Sequence, residues 1–411
     1  MPWRRPRKQV ERPINVSRSM EESLAEAAEG EEEEDAVDVA DVDGASIVEA
    51  ATGEPDDDRV PLELATKLRA AAQGGSLAAS AVSASRSRFV RGEPSTYPES
   101  GVDLAVEAAR GLRLRNPVLT ASGTFGQGVE YAELFDVSRL GAFVNKGTTL
   151  HSRPGNPQYR IAETPSGILN SIGLENPGAA AVARTYGPIW RELGVPVIVN
   201  VAGYSVDDYV RVVTEMNGTP GVVAYELNVS CPNVEGGMLF GCDPGLAAEV
   251  TRAVKAATDL PVIVKLTPSA TDVVAVARAV EEAGADAVTA INTVLGMRID
   301  TRRRRPILGT RSGGLSGPAI RPIAVHITYQ VAQAIAIPVI GAGGITSAED
   351  ALEFLMAGAS AVQVGTATFA DPLAPITVIE GLAAYVSSSG LASIRDIVGA
   401  ALPRGERSAE S

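Results

Sequence analysis

The chain has 411 residues, 45% of them hydrophobic and 4% aromatic, enough for one large domain or two ordinary ones. Its net charge of −14 is uneven: residues 1–19 hold +5, residues 20–58 hold −17 with no Lys or Arg, and the remainder from Arg59 holds −2. The near-neutral body gives no electrostatic support for nucleic-acid binding, no apolar run reaches the ~18 residues of a membrane helix, and two cysteines are too few for a four-thiolate cluster or zinc site.

The N-terminal stretch "MPWRRPRKQVERPINVSRSM" is basic, but no apolar segment follows, so it does not read as a signal peptide. The glutamates behind it argue against a transit peptide. With so few cysteines, a reducing, cytoplasmic setting is expected, although a disulfide between Cys231 and Cys242 is possible in principle. Residues 1–100 read as an extension. "EEEEDAVDVADVDG" is a like-charge block that repels itself and buries little, which predicts a disordered acidic tail without a catalytic task. An acidic docking arm is the other reading. "KLRAAAQGGSLAASAVSASRSRF" is Ala/Ser-rich and expected to be partly helical.

From residue 101 to 411 the texture is that of one α/β domain. Eight short aliphatic runs recur: "NPVLTASG" (116–123), "AFVNKGTT" (142–149), "PVIVNVAG" (196–203), "AYELNVSC" (224–231), "PVIVKLTP" (261–268), "AVTAINT" (287–293), "IPVIGAGG" (337–344) and "AVQVGTAT" (361–368). They are apolar on both faces, as strands of a helix-covered parallel sheet must be. Between them lie amphipathic stretches such as "TDVVAVARAVEEAGA" and "SAEDALEFLMAGA"; the latter opens with Ser347 as N-cap and Asp350 at N3. Eight β–α units predict a (β/α)8 TIM barrel, with an open doubly wound sheet as the alternative.

In such a barrel functional residues sit at the C-terminal strand ends. Those ends are polar, glycine-rich or ionisable here: Ser122 and Gly123, Lys146 and Gly147, Asn200, Asn228 with Cys231, Lys265, Asn292 and Thr293, Gly343 and Gly344, Gly365 and Thr366. Lys265 interrupts the apolar run "VIVKL". A lysine there needs either a carboxylate partner or an anionic ligand, and Lys146 poses the same question. "GAGGIT" and "VGTATF" follow strands seven and eight, where barrels commonly bind phosphate on loop amides. No G-x-G-x-x-G fingerprint stands in a Rossmann context, so a mononucleotide such as FMN fits and directly bound NAD is not indicated. Cys231 lies among Asn228, Ser230 and Asn233, too polar a setting for a buried hydrophobe. A thiol there can act as a base once its pKa falls. Neither His151 nor His326 is placed to make it a hydrolase dyad, and Cys242 has no catalytic task in this reading. No metal site is expected.

"NSIGLENPG" (170–178), "NVSCPN", "VIVKLTP", "INT" followed by "GMR", "GGLSGPAIRP" (313–322), "GAGGI" and "VGTA" together resemble the dihydroorotate dehydrogenase family, in order from about residue 101 to 385. The resemblance implies an FMN barrel that oxidises dihydroorotate to orotate in pyrimidine synthesis. Cys231 at the base position resembles the class 1 enzymes, and "KGTTLHSRPGNPQYRIAETPSGILNSIGLENPG" resembles the NAD-linked class 1B. That class implies a partner subunit carrying FAD and a [2Fe–2S] cluster, around a homodimeric core of a heterotetramer, with no membrane and no nucleic acid. Carried over, Cys231 removes the C5 proton of dihydroorotate while hydride leaves C6 for flavin N5. Asn170, Ser171, Ile172, Gly173, Leu174, Asn228, Asn292 and Thr293 are implied substrate contacts. Lys146 is expected between flavin and substrate, and Lys265 at the flavin N1/O2 edge. Ser122, Gly147, Asn200, Ile291 and Gly317 are expected along the isoalloxazine or ribityl chain, with Asn228 also near the cofactor. Gly343, Gly344, Gly365 and Thr366 are expected at the phosphate. The loop bearing Cys231 is expected to be a lid. The basic hairpin "MRIDTRRRRPILG" (297–309) reads as a solvated turn, a partner-docking site or a counterpart of the acidic tail. Alternatives to the class 1B function are a class 1A, fumarate-dependent enzyme, an FMN barrel acting on another pyrimidine, and an inactive FMN-binding scaffold.

Overall fold

Short Val/Ile/Ala runs with no polar face are stable only if both faces are covered, and the computed structural model shows how this chain covers them. It describes residues 101–230 and 240–403. The expected acidic extension, 1–100, lies outside the described residues. Eight parallel strands close into a barrel in chain order. They are β1 (Val118–Thr120), β2 (Ala142–Val144), β3 (Val197–Val201), β4 (Val222–Asn228), β5 (Val262–Lys265), β6 (Ala287–Ala290), β7 (Val339–Ala342) and β8 (Ala361–Val364). Seven fall inside the runs read from the sequence and β4 begins two residues ahead of its run, at Val222; the open-sheet alternative is excluded by closure of β8 on β1 through Val362↔Val118 and Val364↔Thr120.

Helices follow the strands: α1 (Val129–Ala132), α2 (Ala179–Leu193), α3 (Val206–Met216), α4 (Pro244–Lys255), α5 (Val273–Glu282), α6 (Arg321–Ala332), α7 (Ala348–Met356), α8 (Ala367–Ala370) and α9 (Ala374–Ser388). Four of these starts are set by side chains that accept the otherwise orphaned first-turn amides. Ser205 and Asp208 form a reciprocal capping box on α3, and Ser347 and Asp350 form the one expected on α7. Asp243 and Asp272 cap α4 and α5. Apolar helix faces pack on the strands, with Trp190, Tyr209 and Phe354 fully buried between the layers.

Three further elements escape the eightfold pattern. An antiparallel hairpin, Val106–Ala109 with Leu112–Leu114, lies at the N-terminal end of the barrel, where Arg110 N donates to the Asp286 carbonyl just ahead of β6. A four-stranded antiparallel sheet, in the order Val294–Gly296, Gly313–Ser316, Gly167–Asn170 and Ile161–Thr164, contributes residues to the cavity at the opposite mouth. The basic stretch forms the expected hairpin, pairing Ile299 with Pro306 and Asp300 with Arg305. Residues 302–305 at its tip are exposed, as a solvated turn would be. Asp300 steadies that turn by accepting from Arg302 N and Arg303 N, which holds its carboxyl below the usual range. Among the described residues no helix is long and apolar enough to cross a membrane.

Asp350 shows how much one cap can carry. It is buried, accepts from Thr346 N (2.8 Å), Thr346 Oγ1 (2.6 Å) and Ser347 N (3.1 Å), and pairs with the Arg321 guanidinium of α6. Asp350→Ala removes the cap and strands a partly buried arginine. Urea unfolding should show a loss of about 3 kcal/mol, whereas Glu353→Ala, which removes the exposed partner of the same arginine, should cost well under about 1 kcal/mol.

Candidate active site

Closing a parallel barrel brings all eight C-terminal strand ends to one mouth. A cavity of about 290 Å³ lies there. Ser122 after β1, Lys146 and Gly147 after β2, Asn200 in β3, Asn228 at the end of β4 and Lys265 at the end of β5 line it. So do Ile291, Asn292 and Thr293 after β6, Gly343 and Gly344 after β7, and Gly365 and Thr366 after β8. The small antiparallel sheet adds Ile161, Ile168, Asn170, Ser316 and Gly317's edge of the wall, and the loop after it adds Ile172, Gly173 and Leu174.

Of the described site residues expected from the sequence, one, Ser171, does not stand in that wall. Ser171 is fully buried away from the cavity: side chains alternate along a strand, so with Ile168 and Asn170 facing the cavity, Leu169 and Ser171 face the other way. Its N–H donates to the Arg160 carbonyl (2.7 Å), and its hydroxyl has no partner among the described residues. Cys231 lies outside the described residues, as does the loop expected to be a lid; Asn228 and Ser230, just before it, line the cavity. Cys242, by contrast, ends a short 3-10 turn away from the cavity wall, and partial burial pushes its thiol up. His151 is exposed and His326 lies on α6; neither lines the cavity.

The two lysines differ. Lys265 is both paired and aimed at the cavity. Its ammonium lies 3.5 Å from Glu226 Oε1 and donates to Gln363 Oε1 at 3.0 Å. Glu226 and Gln363 were missed in the sequence. An acidic residue inside "AYELN" is as anomalous as the lysine inside "VIVKL", and that signal was available. Glu226 is wholly buried and also accepts from Asn200 Nδ2 (2.8 Å), Thr289 Oγ1 (2.8 Å) and Gln363 Nε2 (2.5 Å). Lys146 makes no ion pair with any described residue. Desolvation holds its ammonium below the ordinary lysine range, partly offset by the Glu175 carboxylate and reinforced by the Arg160 guanidinium.

The amide edge is shaped for a small polar ring. Asn292 Nδ2 donates to Asn228 Oδ1 (3.1 Å) and to Ser230 Oγ (2.8 Å), and Asn170 Nδ2 donates to the Gly314 carbonyl (3.2 Å). These bonds fix which face of each amide looks into the cavity. At the far side, Gly343 and Gly344 have φ of 137° and 76°. A Cβ on Gly344 would stand 2.7 Å from the Gly317 carbonyl oxygen, so no larger residue fits that turn.

This build is that of a barrel whose mouth presents two lysines, a row of amides and glycine turns to one cavity. The dihydroorotate dehydrogenase family model matches residues 104–386. Similar proteins include those named dihydroorotate dehydrogenase B (NAD(+)), catalytic subunit, from Desulforamulus reducens, 52% identical over 73% of this chain and 99% of that protein. Those from Trichlorobacter lovleyi (52% identical, 70% of this chain, 95% of that protein) and Geobacillus sp. strain WCH70 (51% identical, 74% and 97%) carry the same name. The chain belongs to the dihydroorotate dehydrogenase family and is an oxidoreductase.

The unpaired Lys146 gives a pH test with a definite sign. Its folded-state proton affinity is lowered, so the unfolded chain binds the proton more readily. The protein is therefore penalised at neutral pH, and the penalty fades as pH rises towards the ordinary lysine value of 10.5. Lys146→Met should raise the urea midpoint of the ligand-free protein at pH 7, by an amount that shrinks as the pH rises towards 10.5. A gain equal at every pH would trace to packing instead.

Proposed function

We propose that this chain oxidises (S)-dihydroorotate to orotate in de novo UMP synthesis, with one FMN held in the barrel mouth. The observation that carries the reading is convergence: every described residue to which the family resemblance assigns a role, Ser171 excepted, lines one cavity. The residues fit FMN. Gly343, Gly344, Gly365 and Thr366 suit its phosphate, since the amides of the three glycines have no acceptor among the described residues and no side chain intervenes. Asn200 Oδ1 is a buried acceptor without a partner among the described residues, which a ligand N–H or O–H would satisfy. Lys265 supplies a fixed positive charge on the same wall.

When bound, FMN supplies the acceptor for the hydride that leaves C6 of dihydroorotate. The chain's own residues do the rest. The Cys231 thiolate takes the proton from C5; the electron pair of that C–H bond becomes the second bond between C5 and C6, while the pair of the C6–H bond leaves with the hydride. Asn170, Asn228, Asn292 and Thr293 hold the imide and carboxylate edges of the ring. Lys146, whose ammonium lacks a protein counter-ion among the described residues, is suited to the substrate's negative charge. Ile161 and Ile168 of the small sheet cover the mouth with apolar surface and keep water from the reacting atoms.

The names of the relatives support the NAD-linked subclass. In this reading electrons leave through a second subunit with FAD and a [2Fe–2S] cluster, which passes them to NAD+, and the chain forms the homodimeric core of a cytoplasmic heterotetramer. Two cysteines in the chain leave the cluster to that partner.

Purification from the native cell should yield a yellow-brown complex that reduces NAD+ with dihydroorotate, while the isolated chain turns over slowly or not at all with NAD+. Cys231→Ala in that complex should keep its FMN absorbance and lose roughly a hundred- to ten-thousand-fold in rate at pH 7. A lone yellow dimer that is fully active with fumarate would replace the NAD-linked reading.

A further inference from the structure

Behind the cavity wall lies a charge that the proposed chemistry does not use. Glu226 is wholly buried and does not line the cavity, but three of the four side chains bonded to it do: Asn200, Lys265 and Gln363. The fourth, Thr289, is fully buried beside it. Both carboxylate oxygens are engaged, each by two donors. Oε1 takes Asn200 Nδ2 and Lys265 Nζ; Oε2 takes Thr289 Oγ1 and Gln363 Nε2. The network offers the carboxylate donors throughout, so the ionised form is the one it accommodates.

Gln363 closes the circuit. Its Nε2 donates to Glu226 and its Oε1 accepts from Lys265, which fixes the orientation of the amide. The lysine is thus held between two acceptors, one behind the wall and one in it. Turning the Gln363 amide would break both bonds. The arrangement is therefore specific: a carboxylate that neutralises the ammonium, and an amide that keeps the ammonium from collapsing onto it.

We propose that Glu226 is a positioning residue that, with Gln363, sets how much of the Lys265 charge is felt in the cavity and so sets the reduction potential of the bound flavin. The inference rests on the reading that FMN occupies the cavity. Two-electron reduction leaves negative charge on the N1/O2 edge of a flavin. A nearby cation favours that state and a nearby anion opposes it. Glu226 is the anion. It costs reducing driving force but keeps a buried lysine from being left unpaired.

The test is the potential of bound FMN, measured by anaerobic spectroelectrochemical titration of the purified holoprotein, with FMN affinity measured alongside. Glu226→Gln leaves Lys265 uncompensated. The reduced-to-oxidised ratio at fixed potential should rise at least tenfold, which for a two-electron couple is about +30 mV. Glu226→Asp keeps the charge and should restore most of the wild-type value. Gln363→Leu lets the ammonium settle on Glu226 and should move the potential the other way; it carries the test if Glu226→Gln fails to fold. Potentials unmoved in the folded variants would overturn the proposal and leave Glu226 a packing element. A wild-type chain that takes up no FMN would overturn the underlying reading, and this proposal with it.

Discussion

A buried ammonium beside a buried carboxylate is the constraint around which the active end of this barrel is arranged. Either charge alone would cost several kcal/mol in a dry interior. Together they are tolerable only if the remaining lone pairs and protons are also bonded. That demand reaches across the barrel: Asn200 comes from β3, Glu226 from β4, Lys265 from β5, Thr289 from β6 and Gln363 from β8. The strand registers deliver it. Lys265 is paired with Thr289 on one side and with Asn228 on the other, and Asn200 is paired with Glu226. A one-residue slip would turn each of these side chains to the helix layer, so the polar belt and the closure of the barrel stand or fall together.

The two ends of the barrel divide the work. Below the belt the strand interiors are aliphatic and fully buried, and the antiparallel hairpin at the N-terminal end is held by backbone bonding such as Arg110 to Asp286. Above it lies the cavity, walled by strand ends, the turns that follow them and the small antiparallel sheet. The antiparallel sheet around Asn170 adds the apolar side chains of Ile161 and Ile168 to that wall. Its strands run from two separate insertions, after β2 and after β6, joined by Asn170 and Gly314.

Much of this was legible in the sequence because its causes are local. A strand covered on both faces needs a continuous aliphatic run, and a helix start needs Ser, Asp or Thr; both leave marks within about ten residues. Lys265 was legible for the same reason, as a charge breaking an apolar run. Glu226 breaks its own run in the same way but stands next to "LNVSCPN", where the amides and thiol draw attention first. Gln363 and Thr289 carry no charge and break nothing; their roles exist only once five strands have been brought together. The small sheet was illegible because its strands are three or four residues long and pair across more than a hundred positions, as Asn170 does with Gly314. Ser171 was placed by motif, and strand alternation turned it away.

The contrast between the two lysines then separates architecture from function. Lys265 is compensated within the chain and belongs to the wall whether or not a ligand is present. Lys146 is desolvated without a carboxylate in contact among the described residues, so the fold as described carries a cost there that a compensating side chain could have removed. Such a cost persists when something other than folding maintains it. An anion entering the cavity would lower it, and by linkage the relief would appear as binding free energy for that anion and as added stability of the loaded protein. The wall thus combines a lysine whose charge is balanced within the chain with one that has no carboxylate in contact among the described residues.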